Sequence, residues 1–137
     1  MLAKREHGIE ELRAKLIRKG CSDSVVEDVV ATLAAQQLIS DRRFTEDLVR
    51  VRRNRGYGPL RIEQELRSKG VAEDDVTRWL ARSSDDWTRL LREVRRKKFG
   101  ARVPRSLAER AKQARFLHAR GFSYEQIRSV FGGREEE

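Results

Sequence analysis

Few residues in this chain are of the types and spacings that support catalysis or metal binding. His7 and His118 have no cysteine or acidic residue at metal-ligand spacing. The pairs Asp74-Asp75 and Asp85-Asp86 stand where first-turn carboxylates stabilise the positive end of a helix. Cys21 occupies a repeated position that apolar residues fill elsewhere, which indicates packing. We therefore predict no catalytic residue, no metal, no cofactor and no small-molecule substrate, and hence no enzyme.

The segment Gly56-Tyr57-Gly58-Pro59 invites comparison with a glycine-rich phosphate loop. It lacks a third glycine, a preceding strand and a Walker lysine, and Pro59 removes a backbone donor. Proline suits the first turn of a helix, because the N–H that it lacks would have no partner there. The segment therefore predicts a structural joint between two helices, formed by Gly56, Tyr57, Gly58 and Pro59.

A helix–turn–helix boundary occurs three times along the chain. Each copy has a leucine, a basic residue three positions later and then a glycine, and the glycines are 50 and 51 residues apart. Glycine can adopt the left-handed conformation that ends a helix, and apolar residues four apart follow each copy. The repeat therefore predicts C-cap glycines at Gly20, Gly70 and Gly121.

A second repeated element precedes two of these boundaries. Phe44, Leu48 and Val51 lie on one helical face, and the same spacing recurs 43 residues later from Trp87. The repeating unit thus has three helices, which we call A, B and C. We predict an all-α fold, an elongated and curved array of tandem three-helix repeat modules, with module-two helices at 41–55, 59–69 and 73–82.

The repeats also divide the chain into domains. Gly8 aligns with Gly58, so the apolar residues of a first A helix would fall upstream of residue 1. The last five residues lack apolar side chains, which favours disorder. The predicted domains are module one with helices B and C only at 1–40, module two at 41–83, module three at 84–132, and a disordered acidic tail at 133–137.

The positive charge is distributed unevenly. The chain carries 31 Lys and Arg against 22 Asp and Glu, a net charge of +9, yet residues 1–40 carry 6 of each. The excess is concentrated at 50–55 and 92–98, which indicates an anionic partner, with nucleic acid the first candidate. The predicted basic face for a nucleoprotein partner comprises Arg52, Arg53, Arg55, Arg61, Arg92, Arg95, Arg96, Lys97 and Lys98.

Hydropathy bears on location. No apolar run approaches the ~18 residues of a membrane span, and charged residues follow Met1 at once, unlike a secretory signal. We expect a cytoplasmic protein without a membrane partner.

A helix-turn-helix protein that binds duplex DNA is the alternative interpretation. The segment from Arg120 to Ile127 is similar to such a motif, in which helix C would be the recognition helix. Acidic residues open the first two C helices, at Asp23 and at 73–75, and would repel phosphates. This alternative is weaker but stays open.

Longer motifs resemble the RecX family of regulatory proteins. The resemblance extends over essentially the whole chain, and its core is the run Gly-Tyr-Gly-Pro-x-Arg-Ile at 56–62. Its other elements are Leu2-Ala3-x-Arg5-Glu6-His7, Leu38-Ile39-Ser40-Asp41-x-x-Phe44, Glu65-Leu66-x-x-Lys69-Gly70 and Arg115-Phe116-Leu117-x-x-Arg120-Gly121-Phe122.

The resemblance implies tandem three-helix repeats that bind the RecA recombinase and its filaments on single-stranded DNA, and possible direct contact with DNA. It further implies that filament extension, ATP hydrolysis, strand exchange and the co-protease activity that cleaves LexA are restrained. It supplies no compact motif of binding residues, so the basic face rests on charge.

Overall fold

The computed structural model describes residues 5–81 and 84–135, and these residues form eight α-helices with connecting loops and no strand. The predicted all-α fold is confirmed. The predicted module-two helices agree with the observed ends to within one residue. The helices are α1 Ile9–Arg18, α2 Asp23–Ala35, α3 Asp41–Asn54, α4 Pro59–Ser68, α5 Glu73–Ala81, α6 Ser84–Phe99, α7 Leu107–Ala119 and α8 Tyr124–Glu135.

The helices pack as three successive groups. Helix α1 packs on α2, α3 packs on α4 and α5, and α6, α7 and α8 pack on one another. Each group has its own apolar cluster, around Val26 in the first, Ile62 in the second and Leu117 in the third. We call these groups modules one, two and three. Residues 5–8 precede α1 without forming a helix.

The repeated glycines end the B helices α1, α4 and α7. Gly20, Gly70 and Gly121 have φ values of +91°, +81° and +108°, which are favourable only for glycine. In each copy the residue after the glycine donates its backbone N–H to the carbonyl of the leucine five positions earlier, at 3.1, 3.1 and 3.2 Å. These hydrogen bonds satisfy carbonyls that the end of the helix would leave without partners.

Serine hydroxyls cap the start of four of the described helices. Ser22, Ser40, Ser106 and Ser123 each accept a hydrogen bond from the backbone N–H three residues later. Because Ser106 is the cap, α7 begins at Leu107.

The end of the chain differs from its prediction. The disordered acidic tail predicted at 133–137 is wrong for 133–135, which continue α8. Ile127 and Phe131 anchor α8 in the core of module three, and no proline follows to stop the helix. Residues 136–137 lie outside the described residues.

The surface area is large for the mass. The accessible surface is 9039 Å², whereas a compact monomer of 16.0 kDa would expose about 7,400 Å². An elongated array of small modules exposes such an excess; its predicted curvature stays a prediction. None of the described helices has both the length and the apolar composition that a bilayer crossing requires.

Candidate nucleic-acid interface

A groove of about 490 Å³ lies where module two meets module three. The C-terminal end of α3, the outer face of α6 and the end of α7 form its walls. We call it the junction groove. It brings together two basic clusters that are far apart in the sequence, and its cationic residues are Arg53, Arg55, Lys97, Lys98 and Arg120.

The end of α3 supplies two of these arginines. Gly56 has φ +83° and donates its N–H to the Arg53 carbonyl at 2.9 Å, which ends the helix. The Arg53 guanidinium lies 4.6 Å from the centre of the Trp87 ring, an attractive cation–π distance. The Arg55 side chain is exposed, while its carbonyl accepts a hydrogen bond from Arg120 Nη1 at 3.1 Å.

Aromatic rings hold the basic side chains in place. Lys98 Nζ and Arg120 Cζ lie 5.3 and 5.5 Å from the centre of the Phe116 ring. Beside the groove, the Tyr57 ring lies between Arg120 and Arg61, at 5.1 and 4.2 Å. The chain's own cations cover these rings, so their role in this structure is to position charge.

Phe99 also packs against protein. Its ring meets Phe116 edge to face at 5.4 Å, and both Phe99 and Tyr57 are half-buried. Both aromatic side chains therefore pack against other residues of the chain.

The joint at 56–59 fixes the walls of the groove. Gly58 N donates to the Arg120 carbonyl and Leu60 N to the Gly121 carbonyl, both at 2.8 Å. A Cβ at Gly58 would stand 2.6 Å from the Gly121 carbonyl carbon and oxygen, so only glycine permits this approach. The joint therefore connects α3 to α4 and also attaches module two to module three.

Arg52 and Arg61, also predicted for the basic face, have partners outside the groove. Arg52 Nε and Nη2 donate to the two carboxylate oxygens of Glu65 at 2.8 and 2.7 Å. The hydrogen bond from Arg52 is the main reason that the pKa of Glu65 is lowered. Glu65 thus neutralises Arg52 within module two. Arg61 is exposed and lies over Tyr57.

Arg95 does not lie on an exposed face. It is 7% exposed, and its guanidinium donates to the carbonyls of Ala101 and Arg102 and to Gln113 Oε1 at 3.3 to 3.5 Å. Burial lowers the pKa of Arg95, because desolvation disfavours the charged form. The prediction of Arg95 as an exposed basic residue is therefore wrong, because it holds the loop between α6 and α7.

Arg92 and Arg96 lie on the side of α6 that faces away from the junction groove. Successive residues of an α-helix are rotated by about 100° around its axis, so the Lys98 side chain points roughly away from those of Arg92 and Arg96. Both arginines are exposed and line a separate depression. The single basic face predicted from sequence is thus two surfaces, one on each side of α6.

Sequence reasoning missed Arg120 and Phe116 as groove residues. A signal existed for Arg120, because it fills the repeated position before the glycine that Lys19 and Lys69 fill in the other modules. A basic residue at that position is also favourable beside the negative end of a helix, so the position alone does not indicate a binding role. Nothing in the sequence separates Phe116 from an ordinary core residue.

Acidic and histidine residues form no comparable centre in the part of the chain that the structure describes. No three His, Cys, Asp or Glu side chains gather there in a group that could hold a metal ion.

The fold and the groove define the class: an all-helical protein of tandem three-helix modules, with a basic groove between the last two. Three sequence models of one family match the chain. They are described as RecX, first three-helix domain at residues 1–33, RecX, second three-helix domain at 40–80, and RecX, third three-helix domain at 84–131.

Relatives agree with this match. The chain is 42% identical to the regulatory protein RecX of Pseudomonas entomophila (strain L48) over 135 residues, 98% of this chain and 87% of that protein. It is also 42% identical to the regulatory protein RecX of Halorhodospira halophila over 137 residues, 100% of this chain and 85% of that protein. The chain belongs to the RecX family. These relatives are named as regulatory proteins.

Solved structures support the fold independently. The crystal structure of RecX from Lactobacillus salivarius superimposes with a TM-score of 0.82 at 19% identity, over 99% of this chain and 90% of that one. The crystal structure of a regulatory protein RecX gives 0.78 at 24% identity, over 96% of this chain. This chain spans 66% of the latter protein's length.

Proposed function

We propose that the chain is a non-enzymatic, cytoplasmic regulator of the RecA recombinase, and mainly an inhibitor. It binds RecA and its filaments on single-stranded DNA, and it restrains filament extension, ATP hydrolysis, strand exchange and the co-protease activity that cleaves LexA. The observation that carries this proposal is the junction groove, which gathers five cationic side chains in a member of the RecX family.

The groove provides a mechanism for binding. Five basic residues and the single carboxylate of Glu93 give the described lining a clear positive excess. Each neutralised phosphate releases condensed counterions, which favours binding at low salt. If the protein binds a non-extending filament state more tightly than a growing one, it shifts the population toward the former. The groove supplies the phosphate contacts, and module–RecA contacts would supply the discrimination between states.

ATP hydrolysis by RecA on single-stranded DNA tests the proposal. The double variant Arg55→Glu/Lys98→Glu reverses two groove charges, and neither side chain forms an ion pair with a described residue. We expect this variant to require about tenfold more protein for the same inhibition, since two phosphate contacts become repulsive.

The matched control is Lys112→Glu/Arg128→Glu, which makes the same change in net charge at exposed positions outside the groove. It should inhibit like the wild type. Equal loss in the two variants would mean that overall charge acts, and unchanged inhibition by the groove variant with intact folding would exclude the groove.

Salt dependence gives a second test. For a fluorescent oligothymidylate, log K should fall linearly with log[salt], and the groove variant should show a slope shallower by about 1 to 2. Fluorescence anisotropy at several NaCl concentrations measures both slopes. A wild-type affinity that is almost independent of salt would instead indicate a protein-interaction scaffold whose charge serves solubility.

The alternative, a helix-turn-helix-like protein that acts directly on duplex DNA, has less support. Its recognition helices would be α2, α5 and α8. The first turn of α5 carries Glu73, Asp74 and Asp75, and α2 opens with Asp23. These carboxylates would face the phosphates at the entry of a major groove. Protection of a defined duplex sequence against nuclease would favour this alternative.

A further inference from the structure

A second basic surface lies on the side of α6 opposite to the junction groove. It is a depression of about 620 Å³. Four arginines contribute to its lining, Arg89, Arg92, Arg95 and Arg96. The apolar part of the lining comes from Ala101, Val103 and Val130, and Glu93 adds one carboxylate. We call this surface the arginine depression.

Most of its charge is not compensated by the chain. Arg92 and Arg96 are exposed and form no ion pair with the described residues. Arg89 forms an ion pair with Asp86 at 3.4 Å, and both side chains are accessible to solvent. Arg95 is buried, and its donors reach carbonyl and amide oxygens, not a carboxylate. Burying a guanidinium without a carboxylate partner costs free energy. The low local dielectric would strengthen the attraction between this guanidinium and an anion bound beside it.

The arginine depression differs in chemistry from the junction groove. The groove contains lysines and the aromatic Phe116, with Tyr57 beside it, whereas the described lining of the depression has arginines and aliphatic side chains only besides Glu93. Nucleic-acid bases bind through stacking on aromatic rings, and the described lining of the depression offers none. Guanidinium forks match carboxylates in two-point hydrogen bonds, and aliphatic walls accept aliphatic side chains.

We propose that the arginine depression binds an acidic segment of a protein partner, in which carboxylates stand next to aliphatic side chains. The carboxylates pair with Arg92 and Arg96 at the exposed part, near the buried charge of Arg95. An aliphatic side chain packs on Val103 and Val130. The protein thus has two anion-binding surfaces on one helix, one for phosphates and one for carboxylates. This assignment does not depend on which recombination protein supplies the segment.

A peptide-binding experiment on the full chain tests this inference. The probe is a fluorescent synthetic peptide that alternates Asp and Leu, and a matched peptide has Asn in place of Asp. Anisotropy is measured for the wild type, Arg92→Glu/Arg96→Glu, Arg92→Lys/Arg96→Lys and the control Lys112→Glu/Arg128→Glu. An oligothymidylate is titrated into the same four proteins. Circular dichroism verifies that each variant is folded. We expect folding to be retained because the substituted side chains are all exposed.

We expect the Glu double variant to bind the Asp–Leu peptide at least about tenfold more weakly, with oligothymidylate affinity close to that of the control. The Lys double variant should lose about threefold, because it keeps the charge but not the fork geometry. The Asn–Leu peptide should bind weakly to every protein.

Three results would overturn the inference: no measurable binding of the Asp–Leu peptide by the wild type, equal binding by the Glu variant and the control, or equal binding of the Asn–Leu peptide. Loss of oligothymidylate binding in the Glu variant, with peptide binding retained, would instead make the depression part of the nucleic-acid surface. Arg55 and Lys98 are intact in all four proteins. A negative result for the arginine depression would therefore not count against the junction groove, which the ATP-hydrolysis experiment tests separately.

Discussion

The two junctions between modules are built from different interactions. At the first, between modules one and two, Ile9 N donates to Asp41 Oδ1 at 2.8 Å, and the carboxylates of Glu11 and Glu6 pair with Lys69 and Arg43 at 3.3 and 3.2 Å. At the second, between modules two and three, backbone N–H groups donate to backbone carbonyls at 2.8 Å. Side-chain charges therefore hold the first junction, and the main chain holds the second.

The second junction also shares an apolar core. Trp87 belongs to α6, yet it is 1% exposed within the cluster that includes Phe44 and Ile62 of module two. Its Nε1 donates to the Leu80 carbonyl at 3.1 Å. The buried cluster of module one, built around Val26, contains no residue of α3. Burial thus couples modules two and three more strongly than one and two.

The difference shows that similar repeats need not dock by similar chemistry. The helices and glycines recur at nearly constant spacing, whereas the contacts between modules depend on the side chains at each boundary. The stability of the first junction should depend on pH and salt. The stability of the second should depend on substitutions that change buried volume or backbone conformation. The junction groove lies at the second junction, where backbone hydrogen bonds and a shared apolar core hold its walls.

The largest effect is expected from Trp87→Ala. Removing a fully buried indole leaves a cavity and an unpaired Leu80 carbonyl, which should lower the free energy of unfolding by about 3 to 5 kcal/mol. Urea titration followed by far-UV circular dichroism measures the loss. Hydrogen exchange should show reduced protection in modules two and three and near-normal protection in module one. A uniform loss over all three modules would contradict the proposed difference in coupling.

A glycine series should give the next largest effect. Gly121→Ala places a Cβ 2.5 Å from Arg61 Cβ and 2.9 Å from Arg61 N, in addition to the strain of a positive φ. We expect a loss of about 3 kcal/mol in the free energy of unfolding, measured by urea titration. Gly70→Ala brings its Cβ to 2.5 Å from Glu10 Cγ and 2.7 Å from Glu10 Cβ but meets no backbone atom as closely as Gly121→Ala does, so its loss should be smaller.

Gly20→Ala is the matched control for this series. Gly20 has φ +91° and nothing within 4 Å of the added carbon, so only the backbone strain of about 1 kcal/mol should remain. Equal losses at all three positions would mean that strain alone decides, and that the close approach at the second junction contributes nothing.

The smallest effect is expected from Glu11→Gln at the first junction. Burial raises the pKa of Glu11, but hydrogen bonds and charges from Arg5 and Lys69 outweigh burial and hold its pKa at about 2, below the ordinary 4.5. The variant should lower the free energy of unfolding by about 1 kcal/mol at pH 7, a value reduced by solvent screening. Urea titrations of variant and wild type at several pH values measure the difference.

The pH dependence distinguishes this carboxylate from an ordinary one. Because the pKa of Glu11 is lowered by folding, its stabilisation is complete above about pH 4.5 and is lost as the pH falls through about 2. The difference between variant and wild type should begin to shrink below pH 4.5 and nearly vanish by pH 2. A difference that disappears already at pH 4, or that is insensitive to added salt, would contradict an ion-paired first junction.

Much of the secondary structure could be predicted because its causes are local. Apolar periodicity placed α3, Pro59 marked the start of α4, and Gly70 marked its end. These features act within one or two helical turns, so the sequence carries them directly. The end of α8 failed the same reasoning, because packing of Phe131 extends a helix into residues that lack apolar side chains.

The candidate site was predicted in composition but not in arrangement. Arg53 and Arg55 were predicted together with Lys97 and Lys98, and all four line the junction groove. Arg95 and Arg52 were predicted for the same basic face. Arg95 is buried and Arg52 is ion-paired because of residues on neighbouring elements, and an alignment of the repeats does not describe those contacts.

The sequence alone determined the helices, their repeated order and an excess of positive charge, because helix periodicity, glycine conformation and net charge are properties of residues and short spacings. Tertiary structure alone decided how the modules meet. The approach of Gly58 to Gly121 unites basic residues from α3, α6 and α7 in one groove, and the rotation of α6 separates Arg92 and Arg96 from it. Such contacts join residues distant in sequence, so only the packed chain defines them.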